Sequence, residues 1–190
     1  MDVEILPLSP DLAEDYLYFF DHVGFTDHPE WSQCYCLHFH FEPAWDAEDD
    51  GQENPWRERA ARFVREGKIQ GYLAYADGQI AGWCNANDRE NYCQLVRREE
   101  LWDKATQGKR VKSIVCFTVA PALRGQGVAM QLLTRVCEDA AREGYDFLEA
   151  YPREASDSHF HGPPALYSKF EFYVHQKCKN DCVMRRDLKG

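Results

Sequence analysis

Arg124, Gly125 and Gly127 stand in V-A-P-A-L-R-G-Q-G-V-A-M-Q-L-L, residues 119–133, between an apolar run of strand formers and a stretch of helical periodicity. Glycine weakens a helix interior by roughly 1 kcal/mol relative to alanine, so two at a helix entrance need another reason. A helix N-terminus presents unpaired backbone N–H groups and the positive end of the helix dipole. Glycines there let an anion approach the backbone, and Arg124 adds a positive charge. Strand, glycine turn and helix N-terminus together make a phosphate site. Two nucleotide motifs fail on residues. Gly67-Lys68 and Gly108-Lys109 lack the following Ser or Thr of a P-loop, and a dinucleotide fingerprint would need Gly or Ala where Met130 stands.

The most unusual local composition is W-S-Q-C-Y-C-L-H-F-H-F, residues 31–41. Cys34, Cys36, His38 and His40 alternate with Tyr35, Leu37, Phe39 and Phe41, and in a strand all four would share one face, which looks like a metal site. Distance opposes that reading. Six residues of strand span roughly 20 Å, whereas ligands of one zinc lie within about 4–5 Å of each other because each bond is only ~2.0–2.3 Å. The segment is instead read as a half-buried aromatic piece that shapes an acceptor pocket or a homodimer contact, and no metal site is assigned. Cys178 and Cys182 flank a turn and are read as packed thiols rather than a bridge. Cys116 sits in a central strand, where cysteine usually behaves as a small hydrophobe. Glu149, His159 and His161 are acid–base candidates by position, but a base is identified first by geometry, so none is named.

The elements that must position these groups follow from periodicity and turn chemistry. V-E-I-L-P-L-S reads as a first strand, and residues 9–23 as a helix with Leu12, Tyr16, Phe19 and Phe20 on one face. Residues 42–54 hold six acids and no base and read as an exposed loop. A proline opens the amphipathic helix P-W-R-E-R-A-A-R-F-V-R-E-G-K. Asp77-Gly78 between two β-rich runs predicts a hairpin with a type I′ turn. After a helical or irregular stretch at 95–108 come a strand K-S-I-V-C-F-T-V-A, a helix from about Gly127 to Arg142, and a strand Y-D-F-L-E-A-Y-P. In that helix Val128, Leu132, Val136 and Ala140, with Ala129, Leu133, Cys137 and Ala141, form one apolar stripe. A short helix P-P-A-L-Y-S-K-F and two strands around Lys179-Asn180-Asp181 finish the chain. The fold class is α+β, an α/β three-layer arrangement.

A chain of 190 residues suits one domain, 1–190. Its 44% hydrophobic and 14% aromatic content excludes disorder. No apolar run is long enough to span a bilayer, and the acidic N-terminus lacks a secretory signal's basic start, so the expected location is cytoplasmic, with eight cysteines as free thiols. Lys and Arg total 22 against 32 Asp and Glu, a formal charge of −10 that opposes nucleic-acid binding and suits a cationic partner.

The glycine stretch resembles the pyrophosphate loop of the GCN5-related N-acetyltransferases (GNAT), Gln/Arg-x-x-Gly-x-Gly/Ala, matched here by Arg124, Gly127 and Ala129 with Gly125 at a frequent extra glycine. F-T-V-A-P-A-L-R-G-Q-G-V-A-M-Q-L-L is similar to the family's strand–loop–helix unit, P-A-L-Y-S-K-F-E-F-Y to its later tyrosine helix, and D-C-V-M-R-R-D-L to its last strand. The resemblance covers residues 70–188 well and the first 70 by element order. It implies a mixed, mostly antiparallel sheet flanked by helices, and transfer of an acetyl group from acetyl-CoA to an amine acceptor, small cationic molecule or protein amino group, directly in a ternary complex. Backbone groups at Phe117 and Val119 would hold the pantetheine arm. Those of Gly125, Gln126, Gly127, Val128 and Ala129, with Arg124, would hold the pyrophosphate, and Tyr167 would protonate the departing thiolate. Two positions depart from the pattern: Phe160 stands where Asn is common, and Glu171-Phe172 replaces Gly-Phe. The alternative is a non-catalytic acyl-CoA-binding sensor or partner-binding module on the same fold.

Overall fold

In the computed structural model, residues 1–45, 53–98, 101, 103, 106–153, 160–178 and 182–189 are described. The elements are β1 (Val3–Pro7), α1 (Ala13–Tyr18), α2 (Pro55–Arg65), β2 (Gly71–Ala76), β3 (Gln79–Asp88), α3 (Cys93–Val96), β4 (Val111–Val119), α4 (Val128–Arg142), β5 (Phe147–Ala150), α5 (Pro164–Ser168), β6 (Tyr173–Lys177) and β7 (Cys182–Asp187). The strands form one seven-stranded sheet in the order β1-β2-β3-β4-β5-β7-β6.

Most neighbours are antiparallel. β4 and β5 are parallel, over Val111–Ile114 against Phe147–Ala150. Beyond Ile114 the two strands part, and β4 continues to Val119 paired with β3 alone. The β2–β3 hairpin turns at Asp77 and Gly78, both left-handed (φ 49° and 80°), as a type I′ turn requires.

Helices cover both faces. α4 lays Val128, Leu132, Leu133, Val136, Cys137 and Ala140 on one face of the sheet, with Tyr72, Cys84, Ile114, Phe117 and Leu148 beneath them. The predicted stripe needs two corrections: Ala141 is exposed, and Asp139 is buried because Arg135 (2.9 Å) and Arg142 (2.5 Å) bind its carboxylate. On the other face α1, its continuation through Val23, and α2 pack Tyr16, Phe19, Phe20, Ala60 and Val64 against Leu73 and Trp83. Asn54 caps α2 by accepting from the Arg57 N–H (3.1 Å). The acidic loop lies largely outside the described residues at 46–52, and the last hairpin turn at 179–181 is also outside them.

Residues 31–41 do not form a strand. They make two 3-10 turns, Pro29–Cys34 and His38–His40, joined by left-handed Tyr35 and Cys36. Among the described residues, no three His, Cys, Asp or Glu side chains are grouped as metal ligands. The cysteines are free thiols, and Cys182 pairs with Lys177 rather than Cys178.

Candidate active site

The parting of β4 from β5 leaves backbone groups of β4 facing a gap, and two cavities meet there. The first, about 610 Å³, is lined by Phe117, Val119, Arg124, Gly125, Gly127, Val128 and Ala129, with Leu123, Met130, Pro163 and Lys169 among its other walls. Gln126 does not border it; its side-chain amide donates to the Ala122 carbonyl (2.8 Å). Gly125 and Gly127 are left-handed (φ 76° and 90°), which favours glycine. No atom lies within 4 Å of where a Cβ would stand at either position. Val128, Ala129 and Met130 open α4, so their N–H groups lack intrahelical partners and point toward this open space. An anionic group of pyrophosphate size and chemistry fits that cradle.

Arg124 is already engaged. Its Nε donates to the Val119 carbonyl (3.1 Å), and its terminal nitrogens hold Asp27 at 2.5 and 3.2 Å. The bonds from Arg124 hold the Asp27 carboxyl below the usual carboxylate range. Nothing in the sequence separates Asp27 from the chain's other acids; it comes to Arg124 from 97 residues away.

The second cavity, about 570 Å³, lies on the other side of the gap. Phe20, Phe25, Trp31, Phe39, Trp56 and Phe160 make its walls; Cys34, Cys36, Cys116, His38, Glu30 and Arg153 supply its polar groups. Burial, then the Arg153 charge, pushes the His38 imidazole below its ordinary value. Phe25, Trp31, Thr118 and Phe160 border both cavities. Trp31 meets Phe160 edge-on, with ring centroids 5.0 Å apart.

A short segment crosses the gap. The Phe117 N–H donates to the Phe160 carbonyl (2.5 Å), and His161 Nδ1 meets the Val115 carbonyl (2.8 Å). The Tyr167 hydroxyl donates to the His161 carbonyl (2.5 Å). Tyr167 is fully buried, borders neither cavity, and packs on Phe117 and Phe172. Burial raises its phenol well above the ordinary value. Of the acid–base candidates, Glu149 is removed by its neighbours. It is fully buried, with Oε1 bound by Arg185 (2.6 Å) and Oε2 by Arg89 (3.3 Å) and the Tyr151 hydroxyl (3.0 Å), so it serves a buried ion cluster. His159 lies outside the described residues.

A family model described as the acetyltransferase (GNAT) family matches residues 14–162. The chain belongs to the GNAT acetyltransferase family. Solved structures agree with this GNAT fold. An N-acetyltransferase from Staphylococcus aureus Mu50 is 15% identical, with all of both chains covered and a TM-score of 0.57. The PaiA N-acetyltransferase from Thermoplasma acidophilum, in complex with coenzyme A, is 14% identical over 98% of this chain and 99% of that one (TM-score 0.57). YncA, a putative acetyltransferase from Salmonella typhimurium with acetyl-CoA, is 14% identical over 98% of this chain and 94% of that one (TM-score 0.56). No curated protein matches the sequence significantly.

Proposed function

We propose that residues 1–190 form one acetyltransferase domain that moves an acetyl group from acetyl-CoA to a monoamine with an aromatic or apolar body. One observation carries this reading: a glycine-lined cavity at the N-terminus of α4 and an aromatic cavity share a wall where β4 leaves β5. The first suits the pyrophosphate and pantetheine arm, with Phe117 and Val119 on the gap. The second suits the acceptor. Among the described residues its only carboxylate is Glu30, which meets His28 Nδ1 at 3.1 Å, and Arg153 also lines it. A polyamine would leave further ammonium groups against aromatic walls, and an unpaired charge removed from water costs several kcal/mol. One ammonium over aromatic faces gains from cation–π attraction instead.

In this reading the bound ammonium first gives a proton to water, the neutral amine attacks the thioester carbonyl directly, and the adduct's extra N–H proton also leaves to water as the C–S bond breaks. The Phe117 N–H, freed from Phe160, donates to the developing oxyanion, where a preorganised donor contributes most. Tyr167, freed from His161, protonates the leaving sulfur. The absence of any membrane-spanning helix among the described residues is compatible with the expected cytoplasmic setting.

A second reading, a non-catalytic acyl-CoA binder, draws on one observation: the Tyr167 hydroxyl is committed to a backbone carbonyl. Coenzyme A release from acetyl-CoA across a panel of amines decides between them. Turnover with arylalkyl monoamines above spermidine and kanamycin-type amines supports the proposal. Coenzyme A binding without turnover on any amine replaces it with the sensor.

A further inference from the structure

Cys36 stands in a strained and tightly held turn. Tyr35 and Cys36 are consecutive left-handed residues (φ 39° and 51°), a conformation that non-glycine residues rarely adopt. The surroundings fix it: the Tyr16 hydroxyl donates to the Tyr35 carbonyl (2.5 Å) and the Asn85 side-chain amide to the Cys36 carbonyl (3.2 Å). The same amide nitrogen lies 3.2 Å from the Cys36 sulfur. Its orientation is set from behind, because the Asn85 Oδ1 accepts from the Tyr92 hydroxyl at 2.6 Å. The buried indole N–H of Trp83, two residues before Asn85 on β3, has no hydrogen-bond partner among the described residues. Cys116, on β4, is the cross-strand partner of Asn85, which places its side chain beside the same amide.

The Asn85 donor at the sulfur favours its thiolate. Burial pushes the Cys36 thiol up, but hydrogen bonding at the sulfur outweighs it and leaves the thiol below the ordinary cysteine value. Hydrogen bonding with Cys36 and burial move Cys116 the other way, well above that value. The two cysteines therefore share Asn85 as a neighbour and differ in acidity, the asymmetry that separates a reactive cysteine from its resolving partner. Both sulfurs' residues line the aromatic cavity, which gives a small oxidant a path to them.

We propose that Cys36 and Cys116 form a peroxide-oxidisable dithiol in the wall of the aromatic cavity, with Cys36 attacked first and Cys116 resolving it. The Cys36 sulfur attacks one oxygen of hydrogen peroxide, the O–O bond breaks, and hydroxide leaves to be protonated to water. The Cys116 sulfur then gives up its proton and attacks Cys36; the S–O bond of the sulfenic acid breaks and the second water leaves. Two thiols and one peroxide become one disulfide and two waters, with two electrons passing from sulfur to oxygen. The bridge draws the Cys36 turn against β4 one residue before Phe117, so it alters the acceptor side of the gap. The consequence for acetyl transfer rests on the function proposed above; the disulfide itself does not.

The test treats the purified full chain with hydrogen peroxide and reads intact mass and cross-linked peptides. Expected is a loss of two hydrogens in a Cys36–Cys116 bridged peptide, restored by dithiothreitol. Cys116→Ser should stop at a Cys36 sulfenic acid, trapped as a dimedone adduct. Cys36→Ser should lower the rate of oxidation at Cys116 by at least about tenfold, while Cys34→Ser should still form the bridge. A Cys34–Cys36 bridge, or equal oxidation of all eight cysteines, overturns the proposal; the wild-type peptide map alone decides this if a variant fails to fold. A bridge formed in a chain that acetylates no amine would sustain the dithiol and sink the enzyme.

Discussion

The carbonyl of Phe160 sits 2.5 Å from the amide nitrogen of Phe117, at the point where β4 has lost β5 as a partner. That amide is the one the thioester would need, so the segment must withdraw for acetyl transfer to occur. Its side-chain anchor is the edge contact of Phe160 on Trp31. Aromatic pairs of this kind contribute about 0.5–1.5 kcal/mol, so Phe160→Ala should tighten coenzyme A binding by about two- to tenfold in calorimetry. Unchanged or weaker binding would mean the segment does not compete.

At Gly127 the left-handed backbone makes any substitution strained, while the space around it is open. Gly127→Ala and Gly127→Glu should therefore share a similar fall in Tm, with strain of about 1–2 kcal/mol. Only the glutamate adds a negative charge at the N-terminus of α4. Coenzyme A affinity should drop at least tenfold further in Gly127→Glu than in Gly127→Ala. Matching affinities would remove the pyrophosphate from this loop.

Tyr167→Phe removes one hydroxyl and its bond to the His161 carbonyl. Burial keeps the phenol protonated well beyond the neutral range, so it is available as a donor throughout ordinary assays. Positioned acid–base groups contribute about 10²–10⁴-fold, and kcat should fall within that range with little change in KM for acetyl-CoA. Equal kcat, with chemistry shown to limit the rate, would make Tyr167 a packing residue.

His40 is 5% exposed, its Nε2 has no hydrogen-bond partner among the described residues, and burial lowers its imidazole to about 4 despite a bond to the Asn91 backbone. The unfolded chain, with an ordinary imidazole near 6.5, therefore binds more protons between those values. Its contribution to stability is complete above pH 6.5 and is lost as pH falls toward 4, by about 3 kcal/mol. Denaturant titrations of wild type and His40→Phe should diverge in slope across that window. Parallel curves would show that His40 is not held neutral.

Local signals in the sequence suffice where one element's chemistry decides its shape. Asp77-Gly78 specifies its turn, and the i+4 rows of α4 specify its buried face. The glycines at 125 and 127 point to an open helix entrance, and the backbone is left-handed and uncrowded at both. The segment 31–41 resists this treatment because its alternation of polar and aromatic residues mimics a strand. Its neighbours decide otherwise: Tyr16 and Asn85, distant in sequence, hold Tyr35 and Cys36 left-handed. Glu149 is an acid–base candidate by position alone until Arg89 and Arg185 are seen beside it. The aromatic cavity draws on residues from 20 to 161, so no single window of sequence contains it.

The short parallel pairing of β4 with β5 has a mechanical side. Strands β1 to β4 form one leaf, and β5, β7 and β6 form another; four residue pairs join them within the sheet, and α4 packs over both, reaching Leu148 of β5. Each leaf is continuous in sequence, so the chain passes from one to the other after α4. Both cavities open along that same crease. A ligand seated there acts as a wedge or as glue at the parallel joint of the sheet, and ligand exchange and the stiffness of the sheet become one property.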